Sequence, residues 1–138
     1  MMKKISIAPM VDRTTNYFRD FIRIINKDVT LYTEMITDKA IINGDSKRLL
    51  DFSKRQHPIV LQVATSNEED MKKAMDEIVK YDYDEININA GCPSNRVSDN
   101  KMGAYLMSDV DLLCKIVKEI KNRRFTYLLS HLLSSYPP

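Results

Sequence analysis

A chain of 138 residues, 43% hydrophobic and 29% charged, can bury one real core but not two large ones. Its net charge of +2, with Lys and Arg interleaved among Asp and Glu except near Lys118, Lys121, Arg123 and Arg124, is weaker than a self-sufficient nucleic-acid binder carries. No apolar run is long enough to span a bilayer, and Pro9 and Asp12 break the opening stretch too early for a signal-peptide core, so the expected location is cytoplasmic with no membrane partner.

Ile5-Ser6-Ile7-Ala8 reads as a short strand stopped by Pro9. Phe18, Phe21, Ile22 and Ile25 then recur at helical spacing and predict a helix over about residues 14–25. Residues 31–35 form a second strand candidate, followed by short helical pieces ending at Gly44 and near Phe52. The β-branched run at 59–63 is a third strand. Asn67 caps the next helix, with Glu68, Glu69 and Asp70 in its first turn and Met71, Ala74, Met75, Ile78 and Val79 as its apolar stripe. Residues 85–88 make a fourth strand, and Ser108 is placed to cap a last helix carrying Leu113, Ile116, Val117 and Ile120.

Strand and helix alternate four times, which is the pattern of a parallel sheet with right-handed crossovers. The α/β fold class expected is the N-terminal half of a TIM (β/α)8 barrel, about four βα units, since a full barrel needs about 250 residues. The organisation expected is a partial barrel over residues 1–122 and an aberrant tail over 123–138, forming a short helix through Leu128, Leu129, Leu132, Leu133 and Tyr136 or staying disordered.

In such a barrel the chemistry gathers at the C-terminal ends of the strands. Asn87-Ile88-Asn89-Ala90-Gly91-Cys92-Pro93 puts an amide, a thiol and a tight Gly/Pro turn at one of them. Pro9 and Met10 at the first strand end offer an apolar surface suited to a flat ring. Gln62 at the third offers a donor and an acceptor together, which matches the mixed edge of a flavin or nucleobase. Other readings stand beside these. Cys92 could be a buried thiol, Asn89 a structural cap, and Glu34 either a rim acid or an acceptor for nearby backbone amides. Arg96 and Lys101 could meet a phosphate or simply be solvated, while Cys114, beside Leu113 and Val117, reads as a small core residue. His57 precedes a strand, at the end opposite the rim. The two cysteines form no metal-ligand pattern.

The segments Ala8-Pro9-Met10-Val11-Asp12, Leu31-Tyr32-Thr33-Glu34-Met35, His57-Pro58-Ile59-Val60-Leu61-Gln62 and Tyr83-Asp84-Glu85-Ile86-Asn87-Ile88-Asn89-Ala90-Gly91-Cys92-Pro93-Ser94 together resemble the tRNA-dihydrouridine synthases. Asn95-Arg96-Val97 and Met102-Gly103-Ala104-Tyr105-Leu106-Met107 extend the resemblance toward the bacterial subfamily that modifies a D-loop uridine (20/20a). The resemblance implies an oxidoreductase that reduces the uracil C5–C6 double bond in tRNA. FMN is the implied cofactor and NADPH its reductant, with hydride passing to C6 and a proton from Cys92 to C5. It also implies that Pro9, Met10 and Gln62 contact the flavin and that Asn89 engages the uracil.

The family's later lysine and histidine, its phosphate-cradling loops and its C-terminal helical domain have no counterpart in this sequence. The chain is therefore expected to be a truncated or frameshifted member that binds FMN poorly and is inactive alone. Two alternatives remain: a degenerate, non-functional fragment, and a free-pyrimidine flavin dehydrogenase of the dihydroorotate type, against which the match through Val97 and Met102-Gly103-Ala104 argues. Unpaired sheet edges make self-association a further expectation.

Overall fold

The structure is a computed structural model that describes residues 5–123 and 126–130. Five parallel strands run in sequential order, β1 (Ser6–Ile7), β2 (Thr30–Thr37), β3 (Ile59–Ala64), β4 (Glu85–Asn89) and β5 (Thr126–Ser130). The helices between them are α1 (Asn16–Ile25), α2 (Asp38–Asn43), α3 (Ser46–Leu50), α4 (Glu68–Ile78), α5 (Asn95–Ser98) and α6 (Val110–Asn122). One-directional strand order with intervening helices is the opening arc of a (β/α)8 barrel.

The helix-side face of the sheet carries Leu31, Ile59, Leu61, Val63, Ile86 and Ile88, packed with Met71, Met75 and Ile78 of α4 and Ile116 and Ile120 of α6. Every residue of β3 is buried, as expected where a parallel strand is covered on both faces. Asn67 Oδ1 accepts from the Glu69 and Asp70 amides at 2.7 and 3.1 Å, so the expected cap of α4 is present. The cap of α6 is Asp109, which accepts from Leu112 N–H at 3.0 Å. Ser108 instead donates to Tyr105 O at 2.7 Å and closes the 3-10 turn Gly103–Ser108. Cys114 is exposed, not in the core. Two residues before Ile116 on a helix lies roughly the opposite face, and Ile116 and Ile120 define the buried one.

The β2–β3 register slips once. Tyr32 lies opposite Val60 but Met35 lies opposite Gln62, so β2 holds one extra residue, a β-bulge. Side chains change face across it: Leu31 and Ile36 both reach the helix-side core although their separation is odd. Thr33 Oγ1 accepts from Gln62 N–H at 3.0 Å and donates to Glu34 O at 2.7 Å, so its hydroxyl repairs the interrupted ladder.

Helix α1 buries a polar face beside Ile22, which packs against the core. Arg19 and Arg23 are buried, while Phe21 and Ile25 face solvent and Phe18 and Ile22 are half-buried. Arg19 donates from Nε to Gln56 Oε1 at 2.8 Å and from Nη1 to Thr14 O at 2.6 Å. Arg23 donates to Lys27 O at 2.7 Å and Gln56 O at 2.8 Å. Carbonyls left unpaired by the turns flanking β3 and α1 thus find donors on the inner face of α1.

The tail expectation also changes. Thr126–Ser130 pairs in parallel with β4, from Glu85 opposite Thr126 to Asn89 opposite Ser130, where a short helix or disorder was expected. The sheet therefore continues past the expected boundary at residue 122. Five residues are too few for an independent helix, Thr and Tyr favour extended backbone, and the edge of β4 offers unmet hydrogen-bonding groups. Leu132, Leu133 and Tyr136 lie outside the described residues.

Asp38, fully buried at the start of α2, joins two rim loops. Its Oδ1 accepts from Lys39 N–H and its Oδ2 from Thr65 Oγ1, both at 2.6 Å. Burial pushes its carboxyl above the ordinary range, and the hydrogen bonds from Thr65 and Lys39 N–H only partly offset this; Asp70 adds to the rise and the Lys39 charge opposes it. A folded-state pKa above the unfolded one gives stability that is complete below about pH 4 and lost as pH rises through the folded value. The stability difference between Asp38→Asn and the natural chain should therefore move in favour of the variant from about pH 4 to about pH 8. Urea midpoints measured across that range test this; a difference that does not change with pH contradicts it.

Candidate active site at the strand ends

Asn89 ends β4 and turns the chain over the rim. Its Oδ1 accepts from Gly91 N–H at 3.2 Å and Cys92 N–H at 3.0 Å, an Asx turn. Its Nδ2 donates to Gln62 Oε1 at 3.2 Å and approaches Met35 Sδ at 3.3 Å. Gln62 Nε2 in turn donates to Asn87 Oδ1 at 2.7 Å. Three amides therefore form a buried ladder across β3 and β4 on the face away from the helices. The bulge in β2 brings Met35 onto the same face as Gln62 and Asn89.

Cys92 is half-buried, with Sγ 3.2 Å from the hydroxyl of exposed Ser94. Its carbonyl accepts from Ala104 N–H at 3.0 Å, where the chain returns after α5. Gly103 sits at φ +62, and a Cβ there would lie 2.5 Å from Cys92 O and 2.7 Å from Val97 Cγ1. The close approach and the left-handed backbone both require glycine. Val97 and Met102 pack with Ala64, Met35 and Cys92 in a small second core beneath the loop. Neither Gly103 nor Ser94 stood out in the sequence as a support for the thiol. The one available signal was an isolated glycine in a chain with only three.

The first strand end is held separately. Met10 O accepts from Arg13 and Thr14 N–H at 3.1 and 2.9 Å, and Met10 N–H donates to Thr14 Oγ1 at 3.0 Å. Asp12, at φ +60, donates its N–H to Glu34 Oε1 at 2.7 Å. Of the two readings of Glu34, the structure has the backbone clamp. Pro9 is half-buried and the Met10 side chain is 55% exposed. A cavity of about 800 Å³ opens over the rim, walled by Val11, Arg19, Glu34, Met35, Cys92 and Met102 among others. Its wall includes Cys92, but not Pro9, Met10, Gln62 or Asn89. The structure thus joins Gln62, Asn89 and Cys92 directly, and leaves Pro9 and Met10 on the neighbouring strand end.

His57 lies at the opposite end of the sheet, its Nδ1 2.8 Å from Asp84 Oδ2. Among the described residues no cluster of His, Cys, Asp or Glu is placed to hold a metal ion, and no helix is long and apolar enough to cross a membrane.

The dihydrouridine synthase (Dus) family model matches residues 6–124, nearly the whole of the described chain. This chain belongs to the dihydrouridine synthase family. It is 41% identical over 117 residues to the tRNA-dihydrouridine(20/20a) synthase of Synechocystis sp., covering 85% of this chain and 35% of that protein. The enzyme of the same name from Vibrio parahaemolyticus is 42% identical over 118 residues (86% and 36%), and that from Pseudomonas syringae pv. tomato 36% identical over 122 residues (88% and 36%). The chain therefore spans about a third of the length of these curated relatives. Family membership favours a dihydrouridine synthase over the dihydroorotate type.

Gly103→Ala should destabilise the chain by about 1–3 kcal/mol through strained backbone and the clash with Cys92 O. It should also change the rate at which an aromatic disulfide reagent labels Cys92, leaving exposed Cys114 as an internal reference. Unaltered Cys92 labelling and an unaltered urea midpoint would show that the glycine does not hold the loop.

Proposed function

We propose that this chain carries the uracil-protonating part of a tRNA-dihydrouridine synthase, with Cys92 as proton donor to C5 of a uridine. The observation that supports this most directly is the setting of the thiol. It stands on the strand-end rim, opens on a large cavity, and is positioned through its backbone by Asn89 and Gly103. A half-buried thiol so held can meet a base in one orientation, and it can give up its proton as charge develops on the ring. The Ser94 hydroxyl, 3.2 Å from Sγ and open to solvent, supplies a route by which a proton returns to the sulfur.

The described residues suit the ring of a flavin better than its phosphate. Pro9 and Met10 would hold the ring face and Gln62 its polar edge, and the phosphate loops of such barrels follow strands seven and eight, beyond the five strands present. FMN, kept reduced by NADPH, would supply the hydride that C6 receives. Engaging a ring edge requires Gln62 to give up its bond to Asn87 or Asn89. Asn89 has a similar constraint. Its oxygen is committed to the Cys92 turn, so contact with uracil falls to Nδ2, whose thioether partner Met35 is a weak acceptor and easily replaced.

The relatives named above are tRNA-dihydrouridine(20/20a) synthases, which supports a D-loop uridine as substrate. That base must leave its stack to enter the cavity. A tRNA substrate supports a cytoplasmic location. Lys101, on the exposed loop after α5, is suited to meet the tRNA backbone. The Arg96 side chain lies outside what the structure describes.

The test replaces the matched segment of the Vibrio parahaemolyticus relative with residues 6–122 of this chain and measures NADPH-dependent dihydrouridine formation on tRNA. The chimaera should be active, and Cys92→Ala should lower turnover at least about 100-fold. Undiminished turnover in the alanine variant would remove Cys92 from the reaction.

A further inference from the structure

At the end of the sheet opposite Cys92, Arg23, Ile24, Lys27, Arg55 and His57 line a second cavity of about 360 Å³. That volume falls in the range of about 300–1,000 Å³ that small ligands occupy. Two chain segments build it. Arg23 and Ile24 come from the last turn of α1 and Lys27 follows that helix, while Arg55 and His57 belong to the 3-10 turn Lys54–Gln56 and the residue after it. Three side chains of this wall are cationic and none is acidic.

The donors here outnumber the acceptors. Arg23, only 7% exposed, spends Nη1 and Nη2 on the carbonyls of Asn26, Lys27, Gln56 and Pro58. Its buried Nε–H meets no acceptor among the described residues. Arg55 donates from Nε to Ser53 Oγ at 3.1 Å and stands 3.8 Å from Asp20 Oδ1, which leaves both of its Nη groups without a bond. The exposed Lys27 ammonium has neither a hydrogen bond nor an ion pair among the described residues. The neighbouring acids are engaged elsewhere. Asp84 Oδ2 accepts from Ile59 N–H at 2.6 Å and lies 2.8 Å from His57 Nδ1, and Asp20 Oδ1 accepts from Gln56 Nε2 at 3.0 Å. Asp28 and Asp84 temper the Arg23 charge from outside the cavity wall. The carbonyls of Asn26 and Lys27, just past α1, would repel an anion, but Arg23 already ties them down. A tetrahedral oxyanion supplies the missing acceptors. The Arg55 fork offers it two parallel N–H donors and Lys27 a point charge, while the buried guanidinium, fixed by four carbonyls, adds positive charge behind them. We propose that this cavity is a binding site for a phosphate-type oxyanion, held by Arg55 and Lys27 against Arg23. The site is separate from the rim and independent of any role for Cys92.

The experiment titrates inorganic pyrophosphate into the full 138-residue chain by isothermal titration calorimetry at constant ionic strength. One saturable site is expected, and Lys27→Ala with Arg55→Ala should weaken it at least tenfold. Lys72→Ala with Lys73→Ala removes the same charge from α4 and should leave the affinity unchanged. All four side chains are exposed, and circular dichroism confirms that each variant keeps its fold. A single-stranded RNA oligonucleotide, followed by fluorescence anisotropy, then identifies the source of the phosphate. Oligonucleotide binding that pyrophosphate displaces and the Lys27/Arg55 variant loses identifies a nucleic-acid backbone; pyrophosphate binding without it identifies a free phosphate compound. Absence of saturable pyrophosphate binding, or a site indifferent to Lys27 and Arg55, overturns the proposal. So does an equal loss in the α4 variant, which would reduce the effect to net charge.

Discussion

The rim depends on one extra residue in β2. Without the bulge between Tyr32 and Met35, every later side chain of that strand would point to the other face. Met35 would join the helix-side core in place of Ile36, and Asn89 Nδ2 would lose its sulfur neighbour. The bulge also re-aims Glu34 so that it clamps the loop after β1 through Asp12 N–H. Bulges interrupt ladder hydrogen bonding, and here the hydroxyl of Thr33 offsets that loss by accepting from Gln62 N–H. A single irregularity thus sets which residues of β2 share the site with those of β3 and β4.

Asn89 shows how that geometry limits the chemistry. An amide has one oxygen and two hydrogens to distribute. Its oxygen shapes the Cys92 turn, one hydrogen goes to Gln62, and the other meets a weak acceptor. Positioning the thiol and reading a base are therefore not rival roles for this side chain. They use different atoms of it. Gly103 serves the same loop from behind, because only a residue without Cβ lets the returning chain approach the Cys92 carbonyl.

Helix α1 carries a second consequence of polar satisfaction overriding apolar patterning. Buried carbonyls near Gln56 and Thr14 require donors, and an unpaired buried acceptor costs more than an exposed apolar side chain. The arginines win the inner face, although burial lowers the pKa of Arg19 against the opposing charges of Glu34 and Asp20.

Local pattern made much of this legible. Alternating periods identified four strands and their crossovers, and the Asn67 cap and the α4 stripe of Met71, Ala74, Met75 and Ile78, though not the exposed Val79, followed from residue type and spacing, because those interactions lie within a turn or two. The Gly91-Cys92-Pro93 turn and its amide at 89 were visible for the same reason. What the tertiary structure alone decided involves partners distant along the chain. The facing of α1 is set by Gln56, the use of Glu34 by Asp12, and the β2 register by β3. β5 pairs on β4 because the sheet offers an open edge, which no window of residues 123–138 records. Sequence determines an element where its partners lie within it; where hydrogen-bonding demand comes from a remote strand or loop, only the assembled fold can allocate it.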